Sequence, residues 1–177
     1  MNVIFHTTVA VGVSVLLTDT ERIEQSKKKI GVTSVLAFIT SVFSHGIMDY
    51  MPHCYPINSK IDVALSFCLM LFLVFMTDKK YKSIVGLSFL GTVFPDLIDL
   101  LPSIINKQLS LNLPIGEKLF PWHWHQYSGS IYNGECYASM INHCFLVLIV
   151  IIVCWCRFYD FKKIFLTLLN PTKVAKT

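Results

Sequence analysis

Charge is scarce in this chain: Asp, Glu, Lys and Arg together make up 15% of its 177 residues. The basic residues form no stripe interleaved with aromatics, which excludes the electrostatic footprint of a nucleic-acid-binding protein. No Lys or Arg precedes the first apolar run and no A-x-A-like cleavage site follows it, so that run is expected to stay in the mature protein rather than act as a signal peptide. The six cysteines lack the C-x-x-C spacing of zinc modules, and most fall within apolar runs as small core residues. Cys54 and Cys136 flank the same predicted side and could pair in an oxidising compartment. No internal repeat, Gly/Ser linker or low-complexity tract divides the chain.

What is abundant is apolar surface. The hydrophobic content of 54% and mean hydropathy of +0.58 exceed those of an ordinary soluble protein. Apolar runs cover roughly Val3 to Leu17, Ile30 to Met51, Val63 to Met76, Ile84 to Leu101 and Cys136 to Cys156. They predict an all-α, multi-pass membrane bundle of about five transmembrane helices. The first, third and fourth runs fall short of the ~20 residues of a full span, which leaves a partly re-entrant or thin-membrane arrangement open. A helical membrane domain over 1–157 carries an ordered outer cap loop over 102–135, followed by a short tail over 158–177.

Basic residues alternate between connections. The first connection holds Arg22, Lys27, Lys28 and Lys29, the third holds Lys79, Lys80 and Lys82, and the tail holds Arg157, Lys162, Lys163, Lys173 and Lys176. Only Lys60, Lys107 and Lys118 lie in the second and fourth. The positive-inside rule then predicts a cell (inner) membrane protein with its N-terminus outside and its C-terminus cytoplasmic.

With five spans, counting along the helices brings ionisable residues to one outer depth. His6 begins the first helix, His45 and Asp49 close the second, Asp96 and Asp99 close the fourth, and His143 lies two turns into the fifth. His45 and Asp49, four apart, share a helix face, as do Asp96 and Asp99, three apart. Pro52 ends the second helix and presents His53 at the rim, and Pro95 predicts a kink near the fourth helix's carboxylates. His123 and His125, in PWHWHQY, belong to the cap as lid or supporting residues.

Taken singly, each of these residues has a bland reading as an interfacial or hydrogen-bonding group, and Asp96 and Asp99 could cap a helix end. Taken together, ionisable groups at membrane depth cost several kcal/mol unless paired, hydrated or metal-bound, and a divalent metal explains all of them at once. Mixed His and carboxylate donors suit zinc, with manganese or iron as alternatives, in a one-metal or two-metal site. The expected ligands are His6, His45, Asp49, Asp96 and His143. Asp99 is expected as a bridging ligand or as a base orienting an imidazole, and His53, His123 or His125 as leaving-group acid.

The early His in FHTTVAVG, the SHGIMDYMPH helix end and VFPDLID resemble elements of the membrane-bound metal-dependent hydrolase family of small bacterial inner-membrane proteins. The resemblance implies metal-related roles for His6, His45, Asp49, Asp96 and Asp99. The family's HR-type histidine motif is missing, with PWHWHQYS open as its replacement. The expected function is metal-dependent hydrolysis of a phosphoester or lipid-headgroup substrate at the outer face, with membrane lipids and a membrane-associated or small-molecule substrate as partners and no nucleic acid. The alternatives are metal-ion binding or transport without catalysis, and a structural membrane protein whose polar groups bond between helices.

Overall fold

The computed structural model describes residues 1–23, 26–132 and 134–166. Lys173, Lys176 and the end of the tail lie outside the described residues. The chain is helical: α1 (Val3–Leu17), α2 (Thr20–Ile23), α3 (Lys27–Tyr50), α4 (Ser59–Met76), α5 (Lys82–Asp99), α6 (Leu101–Leu109), a 3-10 turn (Pro121–His123), α7 (Tyr137–Cys156) and α8 (Phe158–Phe165). Among the described residues there is no strand, only an isolated parallel bridge between His53 and Ser130.

The long helices follow the apolar runs, and local chemistry sets their ends. Helix α3 stops at Tyr50 because Met51 precedes a proline and turns to extended backbone. Helix α4 begins four residues ahead of its apolar run, where the Asn58 side chain accepts the Lys60 amide at 3.0 Å. Helix α1 borrows its cap: buried Asp62 of α4 accepts the amides of Val3 at 2.7 Å and Ile4 at 3.1 Å, a carboxylate against a helix N-terminus. That contact fixes the first turn of α1 and hence His6. Helix α5 runs through Pro95 without ending, and the sharp bend, 60°, falls between α5 and α6.

Helix α1 packs against α3, α4, α5 and α7, while the most extensive contact joins α3 to α5. A Cβ at Gly91 would run into the Phe38 carbonyl, so glycine permits that close approach. Hydroxyls bond across the seam, Ser41 to Ser88 at 2.8 Å and Ser88 to the Ala10 carbonyl at 2.9 Å. Small residues and interhelical hydroxyl bonds are the means by which helices associate where lipid offers no hydrophobic drive.

Three helices, α3, α4 and α7, are long and apolar enough to cross a membrane, and the bent α5–α6 pair adds a fourth; α1, with fifteen residues, is shorter. Large apolar side chains point outward, among them Phe67, Leu71 and Phe75 of α4 and Phe145, Leu148 and Trp155 of α7. Such a surface is expected against lipid.

The two ends differ. At one, the Thr20 amide and hydroxyl donate to Asp160 at 3.0 and 2.6 Å, Arg157 bonds the Thr18 carbonyl, and the Asp78 amide donates to Ile164. This end joins the first and third connections to α8, and carries most of the basic residues. At the other, a Cys54–Cys136 disulfide with Cα atoms 5.8 Å apart ties the α3–α4 connection to the start of α7. The apolar core, including Val15, Ile23, Ile84, Val85 and Ile164, lies toward the basic end.

Candidate metal centre

The disulfide-bonded end holds the ionisable residues. His45, Asp49, Asp96 and His123 each offer a donor atom, and all four atoms lie within 4.8 Å of one another. His45 Nε2 is 3.2 Å from Asp49 Oδ2, 3.6 Å from Asp96 Oδ1 and 3.4 Å from His123 Nε2. His123 Nε2 is 3.5 Å from Asp49 Oδ2 and 3.2 Å from Asp96 Oδ1. Bonds of about 2.0–2.1 Å at tetrahedral angles separate donors by about 3.3–3.4 Å, so these five edges match a small coordination polyhedron. Two imidazoles and two carboxylates at this spacing could hold a metal ion.

The imidazoles are prepared for that role from behind. His45 Nδ1 lies 2.6 Å from the Thr92 carbonyl, a contact only an N–H can make, so Nδ1 is held there and Nε2 is the nitrogen turned to the carboxylates. His123 Nδ1 lies 2.8 Å from Asp99 Oδ2, and that carboxylate also accepts the amides of Leu119 at 2.8 Å and Phe120 at 2.9 Å. Asp99 thus stands behind the ring, orienting it, in the arrangement usual for metal-ligating histidines.

The cap segment reaches the helices through two glycines. The Trp122 ring packs on the face of Gly46, where a Cβ would lie 2.6 Å from its nearest carbon, so the residue after His45 must be small for the 3-10 turn to dock. Gly129 donates to the Asp49 carbonyl at 2.8 Å and accepts the His53 amide at 2.9 Å, and a Cβ there would collide with the Met51 carbonyl. Ile131 then donates to the His53 carbonyl at 2.8 Å. This pairing covers His53, which is fully buried rather than at the rim as its place after Pro52 suggests.

The remaining candidates take distinct positions. His6, 1% exposed, stacks on His45 with centroids 4.2 Å apart, and its Nε2 is 3.3 Å from Asp49 Oδ1 without hydrogen-bond geometry. His143 shares the depth but stands apart: α7 packs mainly on α1, and the imidazole stacks on Phe5 at 3.9 Å with Nδ1 3.5 Å from Ser139 Oγ. His125 is exposed and outside the group. Among the described residues His123, two positions away, enters the group because the 3-10 turn aims it inward.

No family model, curated protein or solved structure matches the chain. The reading of the site therefore rests on its own geometry.

Two residues were not legible in advance. The Met1 nitrogen is buried, 2.8 Å from both Asp49 Oδ1 and His53 Nε2. Ser130 Oγ lies 3.1 Å from His53 Nε2 and 2.8 Å from the Tyr55 hydroxyl. Burial, with the Met1 ammonium beside it, holds the His53 imidazole down at about 4, and burial pushes the Tyr55 phenol up. For His123, burial acts downward, but hydrogen bonds to Asp49, Asp96 and Asp99 outweigh it and raise the imidazole to about 9.

Proposed function

We propose that this protein spans the membrane five times, with its N-terminus outside and its C-terminus in the cytoplasm, and carries a metal-dependent hydrolytic centre at the outer face. The observation that carries the reading is the four-donor group of His45, Asp49, Asp96 and His123, three of them near the ends of apolar helices and the fourth on the 3-10 turn that docks there. The basic residues gathered at one end and the disulfide at the other support the orientation, since disulfides persist on the oxidising side. The donor set supports zinc, with manganese or iron as alternatives. The resemblance to the membrane-bound metal-dependent hydrolase family points the same way.

A metal held by these residues supplies Lewis-acid polarisation of a phosphoryl or acyl oxygen and acidifies a water. The chain's own part is to orient and to exclude. Asp99 and the Thr92 carbonyl set the two imidazoles, and Trp122 and Phe120, stacked with centroids 5.1 Å apart, cover one side. Asp96, with 28% of its side chain exposed against 10% for Asp49, is the most exposed of the four donors and so the one a substrate would meet first. A centre just below the interface suits a lipid headgroup or another membrane-associated phosphoester.

The alternative is metal binding without turnover, and one observation favours it: four protein donors fill a tetrahedral site, whereas catalytic sites keep a position open. Detergent-purified protein, stripped and reloaded with zinc, manganese or iron, separates the two when screened against phosphodiester, lipid and amide substrates. Metal-restored turnover supports hydrolysis; retained metal with no turnover on any class supports binding.

A further inference from the structure

We infer that the segment from Leu101 to Leu119 is a lipid-binding surface, seated at the headgroup boundary of the leaflet beside the donor group, with its apolar side chains among the acyl chains. This rests on the reading that the chain spans a membrane.

The segment is a loop closed on one carboxylate. It leaves α5 just past Asp99 and returns to it, where Asp99 accepts the amides of Leu119 and Phe120. Between these points α6 turns 60° from α5 and stops at Ser110, whose φ of 53° is left-handed. The chain then folds back on the helix. The Asn106 side chain donates to the Leu113 carbonyl and accepts the Leu113 amide, both at 2.8 Å.

These bonds order the loop without burying it. None of residues 101–119 is buried, and every one from 107 to 119 is exposed. Ile104, Leu109, Leu111, Ile115 and Leu119 are 47% to 70% exposed. Charge is limited to Lys107, Glu117 and Lys118. So many large apolar side chains, ordered yet uncovered, mark an interaction surface.

Lipid is the occupant that the rest of the molecule supplies. Helices α5 and α6 together form a candidate span, and Leu97 and Ile98, 39% and 40% exposed, lead its outward apolar surface directly into Leu101 and Ile104. A helix turned 60° from an upright span lies nearer the membrane plane than its normal. On α6, Leu101, Ile104, Ile105 and Leu109 share one face while Ser103, Asn106 and Lys107 share the other, the pattern of an interfacial helix. Beyond it Leu109, Leu111, Leu113 and Ile115 alternate with Ser110, Asn112 and Pro114, and in extended chain such alternation turns the apolar side chains one way.

Depth follows from the backbone. Amides and carbonyls outside a helix cannot enter hydrocarbon unpaired, so the backbone after Ser110 stays among the headgroups and only side chains reach below. Trp124 and Tyr127 of the cap, 40% and 47% exposed, suit the same boundary. The return end is fastened to the carboxylate that orients His123, so a loop seated in this way holds the donor group at headgroup depth.

Photocrosslinking in vesicles of phosphatidylethanolamine and phosphatidylglycerol tests this. In the full chain p-benzoylphenylalanine replaces, one at a time, Leu111, Ile115, outward-facing Phe67 of α4 as the reference for a span, and exposed Arg22 at the basic end as the blank. Mass spectrometry reads the gain of one phospholipid. Leu111 and Ile115 are expected to gain lipid as readily as Phe67, with Arg22 well below; two exposed loop positions guard against one failing to fold. Lipid on Phe67 with neither loop position above Arg22 overturns the lipid seat and leaves the spanning reading standing. Crosslinks from both loop positions to a second copy of the chain in place of lipid overturn it likewise. No lipid on Phe67 overturns the spanning reading, and this inference with it.

Discussion

Asp99 Oδ2 lies 2.8 Å from His123 Nδ1, and the same carboxylate accepts the backbone amides of Leu119 and Phe120. One side chain at the end of α5 therefore sets both the tautomer of a candidate ligand and the path of the segment that delivers it. Asp99→Asn offers an N–H where an acceptor is needed and favours the wrong tautomer. Loss of such an orienting group typically lowers metal affinity about 10–100-fold. Competition with a chelator of known affinity measures it, and an unchanged affinity contradicts the role given to Asp99.

The raised His123 imidazole gives a pH dependence with a definite sign. Its ordinary value of 6.5 moves to about 9 in the folded metal-free protein. A raised folded value stabilises the fold fully below 6.5, and that contribution disappears as pH rises through about 9. The metal-free protein is thus expected to melt at lower temperature at pH 9.5 than at pH 6. A metal ion needs the Nε2 lone pair and must displace the proton, so apparent affinity is expected to rise over the same interval. Melting curves with and without metal check both trends, which run in opposite directions.

Glycine at positions 46 and 129 is required by what lies against it, the Trp122 ring and the Met51 carbonyl. Backbone yields less readily than a side chain, so Gly129→Ala is expected to be the costlier change, and overpacking of this kind destabilises by about 1–3 kcal/mol. Gly46→Ala is expected to push Trp122 outward and weaken metal binding through His123. Thermal unfolding of both variants, with the chelator assay for Gly46→Ala, tests the ordering.

The Cys54–Cys136 bridge closes a loop of sequence separation 82. In the chain-entropy account such a cross-link contributes about 4.5 kcal/mol. Reduction, or Cys54→Ala with Cys136→Ala, is expected to lower the melting temperature and loosen the α3–α4 connection that holds His53. Thermal unfolding in the presence and absence of reductant reads the effect.

A reporter fused after Thr177 is expected to read as cytoplasmic. An outside reading reverses the proposed orientation without altering the geometry of the donor group.

Depth was legible in the sequence; azimuth was not. Counting residues along apolar runs placed His6, His45, Asp49, Asp96 and His143 at one level, because helical rise is nearly constant. Which way each helix turns its face depends on packing partners that no run of residues declares. His143 therefore meets Phe5, while His45 and Asp96 meet across the α3–α5 seam that Gly91 permits. The H-x-H pair is the sharper case. Alternation alone leaves His123 and His125 equivalent, and the choice between them comes from the 3-10 turn that Asp99 and Gly46 together anchor. The cap's pairing with residues after Pro52 was likewise hidden, since it depends on backbone groups of Gly129 and Ile131 rather than on side-chain pattern.

Metal content is the most direct measure of the central claim. Protein purified in detergent and freed of adventitious ions by a weak chelator is expected to retain at least one divalent ion per chain, and the double variant His45→Ala with Asp49→Ala is expected to retain none. A wild type without metal, or a double variant with the same content as the wild type, contradicts the centre described here.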